Sequence, residues 1–304
     1  MKKSCVAAVL VPMLLAGAHA FGNGAPCPPA GWSTEQLTAL RAREFDIDDN
    51  AQRQQLALGL LPCLASPNPV LRDEIAFEAY STWLRSGKLD DATRNKLYAS
   101  LLPALVSTNA DKEGFRAPFS ALVMSELARV DRLTPYLTAA NRQDLLEHAA
   151  RYLQTQQDYR GFNQRQGWRH GIAHGADLLM QLSLNPALDK FQLDQILAAI
   201  APQVAPAGGH FYIYGEAERL ARPVLFIMGR KLYTEAEWDA WLMQISSPAP
   251  FRSWGDVFQS EAGLAKRHNT RAFLSALFVE TRDSKEESLA TLAPKIKSAL
   301  ATLQ

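Results

Sequence analysis

The densest chemistry in the chain lies in residues 167–177, Gly-Trp-Arg-His-Gly-Ile-Ala-His-Gly-Ala-Asp. His170 and His174 stand four apart, and Asp177 follows three later. On a helix these three side chains fall within about 60° of one another, with Gln181 continuing the stripe. Ile172, Ala176, Leu178, Leu179 and Leu182 take the other side, so the helix can bury one face and present imidazoles and a carboxylate on the other. Three uses follow from these residue types. Two imidazoles and a carboxylate can hold a divalent metal such as zinc, with His170, His174 and Asp177 as ligands. A His–Asp pair can move a proton without a metal. The same groups can also form a polar ladder between helices or line a binding groove, and this is the leading reading.

A metal-dependent hydrolase, the alternative, needs more than this helix supplies. The hydrolytic His-Glu-x-x-His pattern carries its general base inside the pair. Here Gly171, Ile172 and Ala173 intervene, and none can exchange a proton. The base would have to be Glu216 or Glu218, with Asp158 or His268 as possible further groups from another helix. Glu216 and Glu218 also open a predicted helix, where acidic residues suit the positive end of the dipole. Glu218 and Arg219 are expected to face the His170 helix across a groove, and Pro223 is expected to kink their own helix. Trp168 reads first as a packed anchor at that groove, and Trp238 with Trp241 as core. Arg72-Asp73-Glu74 and Arg116 read as interhelical ion pairs or caps. Gly171 and Gly175 cost a helix about 1 kcal/mol each relative to Ala, which points to a closely approaching neighbour.

The elements that must position these groups are almost all helical. Ser33-Thr34-Glu35-Gln36 has the form of a capping box before a run to about Phe45. Periodicity places further helices near 50–65, 70–85, 91–107, 115–131, 139–157, 167–183, 190–203, 215–229, 235–245, 262–281 and 284–303. Ser66-Pro67-Asn68-Pro69, Ser86-Gly87, Asn185-Pro186 and Pro206–Gly209 punctuate them, and only His210–Tyr214 hints at a strand. Short connectors between so many helices predict an all-α fold of stacked antiparallel helix pairs, an irregular HEAT-like α-solenoid or α/α superhelix. The pairs 50–85 and 91–131 have the length of such repeats, about 40 residues, without visible self-similarity. A compact α/α bundle is the second choice.

Lys2-Lys3, the apolar run Val6–Leu15 and Ala18-His19-Ala20 predict a signal peptide over residues 1–20, cleaved after Ala20. Residues 21–304 then form a single all-α domain in the periplasm or outside the cell. No later segment reaches the roughly 18 uninterrupted apolar residues of a membrane helix. Cleavage leaves Cys27 and Cys63, which an oxidising compartment would join as a disulfide. It also leaves 30 basic against 31 acidic residues and no basic–aromatic interleaving, so a nucleic-acid partner has no support. A Gly-x-Ser-x-Gly elbow, a phosphate-binding loop and a dinucleotide fingerprint are all missing from the sequence. Paired carboxylates of a glycoside hydrolase on an α/α barrel rank third.

Five segments carry a resemblance. They are Leu71–Ala76 with Trp83-Leu84, Phe115–Leu122, Asp158–Gly161 with the 167–177 stretch, Tyr214–Leu220, and Arg267–Leu274. In this order, around a Trp-x-His-x-x-x-His-x-x-Asp centre, they resemble the bacterial domain-of-unknown-function family 2785 over roughly Leu61 to Glu280. The resemblance implies a helical protein and no activity. The predicted export signal and disulfide would be departures from the family. The expected function is therefore a ligand- or protein-binding module of the cell envelope with a polar His/Asp groove, whose partner is a small ligand or an envelope protein.

Overall fold

The computed structural model describes residues 26–107, 111 and 113–303, so the predicted signal peptide lies outside the described residues. The chain enters through α1 (Thr34–Arg41) and α2 (Asn50–Gly59). A 3-10 turn (Leu61–Ala65) and a π-helix (Val70–Phe77) then lead into α3 (Glu78–Arg85). The main body is α4 (Asp91–Leu105), α5 (Arg116–Leu133), α6 (Ala139–Thr155), α7 (Gly171–Ser183), α8 (Lys190–Val204) and α9 (Glu216–Gly229). It is completed by α10 (Glu235–Ile245), α11 (Glu261–Arg282), α12 (Glu287–Ala290) and α13 (Ala293–Ala301), with a 3-10 turn at Asp256–Gln259. The only described sheet is a two-stranded hairpin between α6 and α7, in which Phe162 pairs with Trp168 and Asn163 with Gly167.

Local signals set many of the boundaries. Ser33 and Gln36 exchange both bonds of a capping box. Asp189 with Gln192 and Thr234 with Glu237 do the same at α8 and α10. Leu60 ends α2 before Pro62, which splits the expected 50–65 helix. The expected 284–303 helix is likewise divided into α12 and α13. Pro223 sits inside a continuous α9.

Packing follows the alternation of the chain. The odd-numbered helices α3, α5, α7, α9 and α11 pack each on the next in one layer, and α2, α4, α6 and α8 do so in the other. Of these, α4, α6 and α8 also lie on a sequence neighbour of the first layer. This is the stacked-pair arrangement expected of an α-solenoid, with a continuous apolar core between the layers. α5, α7 and α9 run in the same direction. At their C-terminal ends Arg132 of α5 donates to Gln181 of α7, and Arg230 after α9 donates to the carbonyls of Ser183 and Asn185. Their N-terminal ends therefore meet at the opposite rim.

Gly171 and Gly175 explain how closely α6 approaches α7. A Cβ on Gly175 would lie 2.9 Å from the Tyr152 ring, and one on Gly171 would lie 2.7 Å from Gln156 Nε2. Tyr152 uses that proximity to donate its hydroxyl to the Gly171 carbonyl. At the N-terminal end, Cys27 and Cys63 are joined by a disulfide, which ties the entry segment to the turn after α2. No helix among the described residues is long and apolar enough to cross a membrane.

Candidate functional site

The 167–183 segment is not a helix throughout. Gly167 and Trp168 form the return strand of the hairpin, and α7 begins only at Gly171. His170 is its N-cap, in the left-handed region at φ 55° and ψ 39°. A non-glycine residue there needs its neighbours to hold it. Its N–H donates to the Arg160 carbonyl, and the Arg169 N–H donates to that of Gly161. The predicted three-residue stripe is thereby corrected: His174 and Asp177 share the helix, and His170 reaches their neighbourhood from the turn before it.

The two imidazoles still meet, with ring centroids 5.9 Å apart. His170 Nε2 lies 3.1 Å from the Tyr214 carbonyl, and His174 Nδ1 lies 3.2 Å from that of Pro118. A carbonyl only accepts, so these contacts set the tautomers as Nε2–H on His170 and Nδ1–H on His174. Nδ1 of His170 and Nε2 of His174 then carry the lone pairs. Burial, with the nearby Arg219 charge, lowers His170 to a pKa of about 4. Burial, with His170 and Arg219 beside it, lowers His174 to about 3. Both rings are neutral near pH 7 and are weak bases, suited to accepting hydrogen bonds and poorly matched to proton transfer at that pH.

Asp177 is buried at the back of this group and is paired with Arg219 from α9. Burial raises its carboxyl above the usual range, and the Arg219 guanidinium opposes that rise. The carboxylate is therefore already committed. Glu216, the first candidate base, is buried, and its Oε2 accepts the Tyr214 N–H at 2.8 Å, bracing the turn into α9. Glu218 is exposed and lines a separate open groove of about 1420 Å³ between α9 and α11, with Arg222 and Phe226. His268 faces the Tyr212 carbonyl at 3.1 Å, and Asp158 accepts from Arg160. Among the described residues no three His, Cys, Asp or Glu side chains come together as a possible metal site. As arranged, His170, His174 and Asp177 do not form a ligand set.

Above the histidines lies a feature that periodicity did not reveal. Trp168 stacks on His170 at 4.7 Å with 25° between the planes, and packs against Phe162 at 5.1 Å and Tyr214 at 5.7 Å. Trp168 is 39% exposed, Phe162 45% and Ile213 68%. Gly161 lets this cluster close: a Cβ there would lie 2.0 Å from the Tyr214 ring. Trp168 is thus both a packed anchor and an open aromatic face.

Arg72 holds the cluster from beneath. Its guanidinium has no exposed surface, yet it is bonded on every side. It donates to Asp73 at 2.7 Å, to the carbonyls of Ser66 at 2.9 Å and Gln166 at 2.8 Å, and to that of Trp168 at 3.3 Å. The Phe115 ring lies 3.9 Å from Arg72 and 4.3 Å from Arg169, taking a cation from each. Isolating a charge this way costs several kcal/mol unless its bonds are complete. Here each guanidinium nitrogen has an acceptor, and three of the acceptors fix loops. The sequence reading of Arg72-Asp73-Glu74 as interhelical ion pairs or caps fits Glu74, which pairs with Arg41 of α1, whereas Arg72 pairs with Asp73 on its own helix and reaches a hairpin more than 90 positions away that the sequence did not show.

The site is thus a rim where the N-terminal ends of α5, α7 and α9 meet, roofed by the 162–168 hairpin and the 210–214 segment. Neither a curated protein nor a solved structure matches the chain. The model of the family described as "Protein of unknown function (DUF2785)" matches residues 102–279, which is more than half of the 304 residues and includes the whole rim from Phe115 to His268. The chain belongs to the DUF2785 family.

Proposed function

We propose that this protein is a binding module of the cell envelope whose recognition surface is the rim formed by Phe162, Trp168, Ile213 and Tyr214. The observation that carries the reading is the support beneath it: a fully buried arginine is spent on holding a hairpin whose aromatic side chains remain open. An exposed apolar patch on a rigid base loses little entropy on binding, which favours recognition. His170, His174, Asp177 and Arg219 form the polar floor that keeps Trp168 and the start of α7 in place.

The partner is a polypeptide segment that places an apolar side chain beside an acidic one. Trp168 and Phe162 suit the first. Arg165, exposed at the hairpin tip with no carboxylate against it among the described residues, suits the second. The Cys27–Cys63 disulfide and the sequence of residues 1–20 support an oxidising, exported setting. Neutral, weakly basic imidazoles and a carboxylate already paired with Arg219 favour binding over hydrolysis.

The test is photo-crosslinking in the producing cell from a reactive amino acid at position 168, with position 243 on exposed Met243 as control. An adduct from 168, absent from 243, lost with Phe162→Ala and weakened with Arg165→Glu, supports the reading. A folded, exported protein that gives no adduct from 168, or equal adducts from both positions, refutes it.

A further inference from the structure

A second site lies away from the rim, between α8 and α10, where the chain leaves a cleft of about 840 Å³. That is the size of a small-molecule pocket, and the walls have the matching chemistry. Leu197 and Ala201 come from α8, Trp238 and Trp241 from α10, and Phe251 from the loop before α11. Trp238 and Trp241 meet edge to face at 6.0 Å. The indole N–H of Trp241 has no acceptor among the described residues.

The charged groups of the cleft are not distributed evenly. At the end where α8 and α10 begin, Lys190 is bonded to Glu237 at 2.9 Å and Asp194 at 3.3 Å, and the Tyr233 ring lies 4.4 Å from its ammonium. That end is satisfied internally. At the other, Lys266 reaches the cleft from α11. It is half-buried, its ammonium has no carboxylate within reach among the described residues, and it lies over the Trp254 ring at 6.0 Å. Burial lowers its pKa below the ordinary lysine value, the mark of a cation taken from water without compensation.

We infer that this cleft binds an organic acid, whose apolar body lies along Leu197, Ala201, Trp238 and Trp241 and whose carboxylate pairs with the Lys266 ammonium. A carboxylate would supply Lys266 with the counter-charge it lacks in the cleft wall. The aliphatic and aromatic walls ask only for an apolar body, so the anionic head is the specific element. This site shares no side chain with the Trp168 rim and stands or falls independently of it.

Decanoate is the probe, with 1-decanol as its neutral counterpart and decyltrimethylammonium as its cationic one, each below its micelle concentration. Binding is read from quenching of Trp238 and Trp241 fluorescence and from isothermal titration of the full mature chain. Decanoate is expected to bind saturably and at least tenfold more tightly than either counterpart. Lys266→Met keeps the aliphatic stem and should weaken decanoate at least tenfold while leaving 1-decanol unchanged, and Lys266→Arg should retain most of the affinity. Circular dichroism and the melting temperature establish that each variant is folded. Equal binding of decanoate and 1-decanol, preference for the cation, no binding to the folded wild type, or a Lys266→Met variant with undiminished affinity would each overturn the proposal.

Discussion

Arg72 donates a hydrogen bond to the carbonyl of Trp168 at 3.3 Å, linking the π-helix before α3 to the aromatic rim 96 positions later. The rim therefore depends on a residue outside the family match at 102–279. Arg72→Met should remove the donor from three carbonyls and leave Asp73 unpaired, at a cost on the order of 3–5 kcal/mol. Urea unfolding measures the loss, and hydrogen exchange should show faster amides at 162–168. Arg72→Lys should not restore them, because one ammonium cannot reproduce the planar fork. Unchanged exchange in the hairpin would separate Arg72 from the rim.

Asp177 and Arg219 should be strongly coupled. Removing Arg219 leaves a buried carboxylate, whereas Asp177→Asn leaves a guanidinium that still reaches solvent. Arg219→Met is therefore expected to be the more damaging single change. A double-mutant cycle should return a coupling of about 1–3 kcal/mol. The same pairing predicts that zinc added to the wild type will not raise its melting temperature. A stabilisation that grows with zinc and disappears in His174→Gln would restore the metal reading.

The histidines predict an acid limb in stability. His170 and His174 have folded pKa values of about 4 and about 3, below the ordinary 6.5. Between those values the unfolded chain binds more protons than the folded one, so stability falls as the pH falls from about 6.5 toward 4. Each ring can contribute a slope approaching ~1.4 kcal/mol per pH unit. Asp177, raised above the ordinary 3.8, acts in the opposite sense at the acid end. Urea midpoints from pH 7 to 4 should show the loss, and His174→Gln should flatten it. An identical slope in that variant would place its origin elsewhere.

Breaking the Cys27–Cys63 bond frees a span of 36 residues in the unfolded chain. The chain-entropy model sets the effect at about 4 kcal/mol. Cys27→Ser is the milder probe because Cys63 is fully buried. The expected result is a lower melting temperature in the variant and no further drop when a reductant is added. A reductant effect of equal size in wild type and variant would show that the bond contributes nothing.

Much of the stack can be read from sequence because its determinants are local. Caps at Ser33, Asp189 and Thr234 and the apolar period of α4, α6 and α8 sit within a turn or two of what they specify. The rim is different. Periodicity carried the helix of Ile172 and Leu179 backwards through His170 and concealed the hairpin, because a left-handed histidine is held by the Arg160 carbonyl, a contact no spacing records. Asp177 and Arg219 could be nominated from their types, but their pairing depends on how α7 and α9 lie side by side. Trp238 and Trp241 pack in and against the core as their spacing of three suggests, but that they also wall a cleft beside Lys266 is visible only in three dimensions.

The two-layer stack also gives the molecule a direction. Because its layers touch mainly their immediate neighbours, it resembles a row of tiles more than a sphere, and disorder must spread along the row from an edge. One edge is fastened covalently at Cys27 and Cys63; the other rests on α13 against α10 and α11. Fraying should thus start near α13 and reach the α8–α10 cleft before it reaches the Trp168 rim. An organic acid in the cleft would then act as a doorstop, slowing the opening of the unfastened end while the rim keeps its shape.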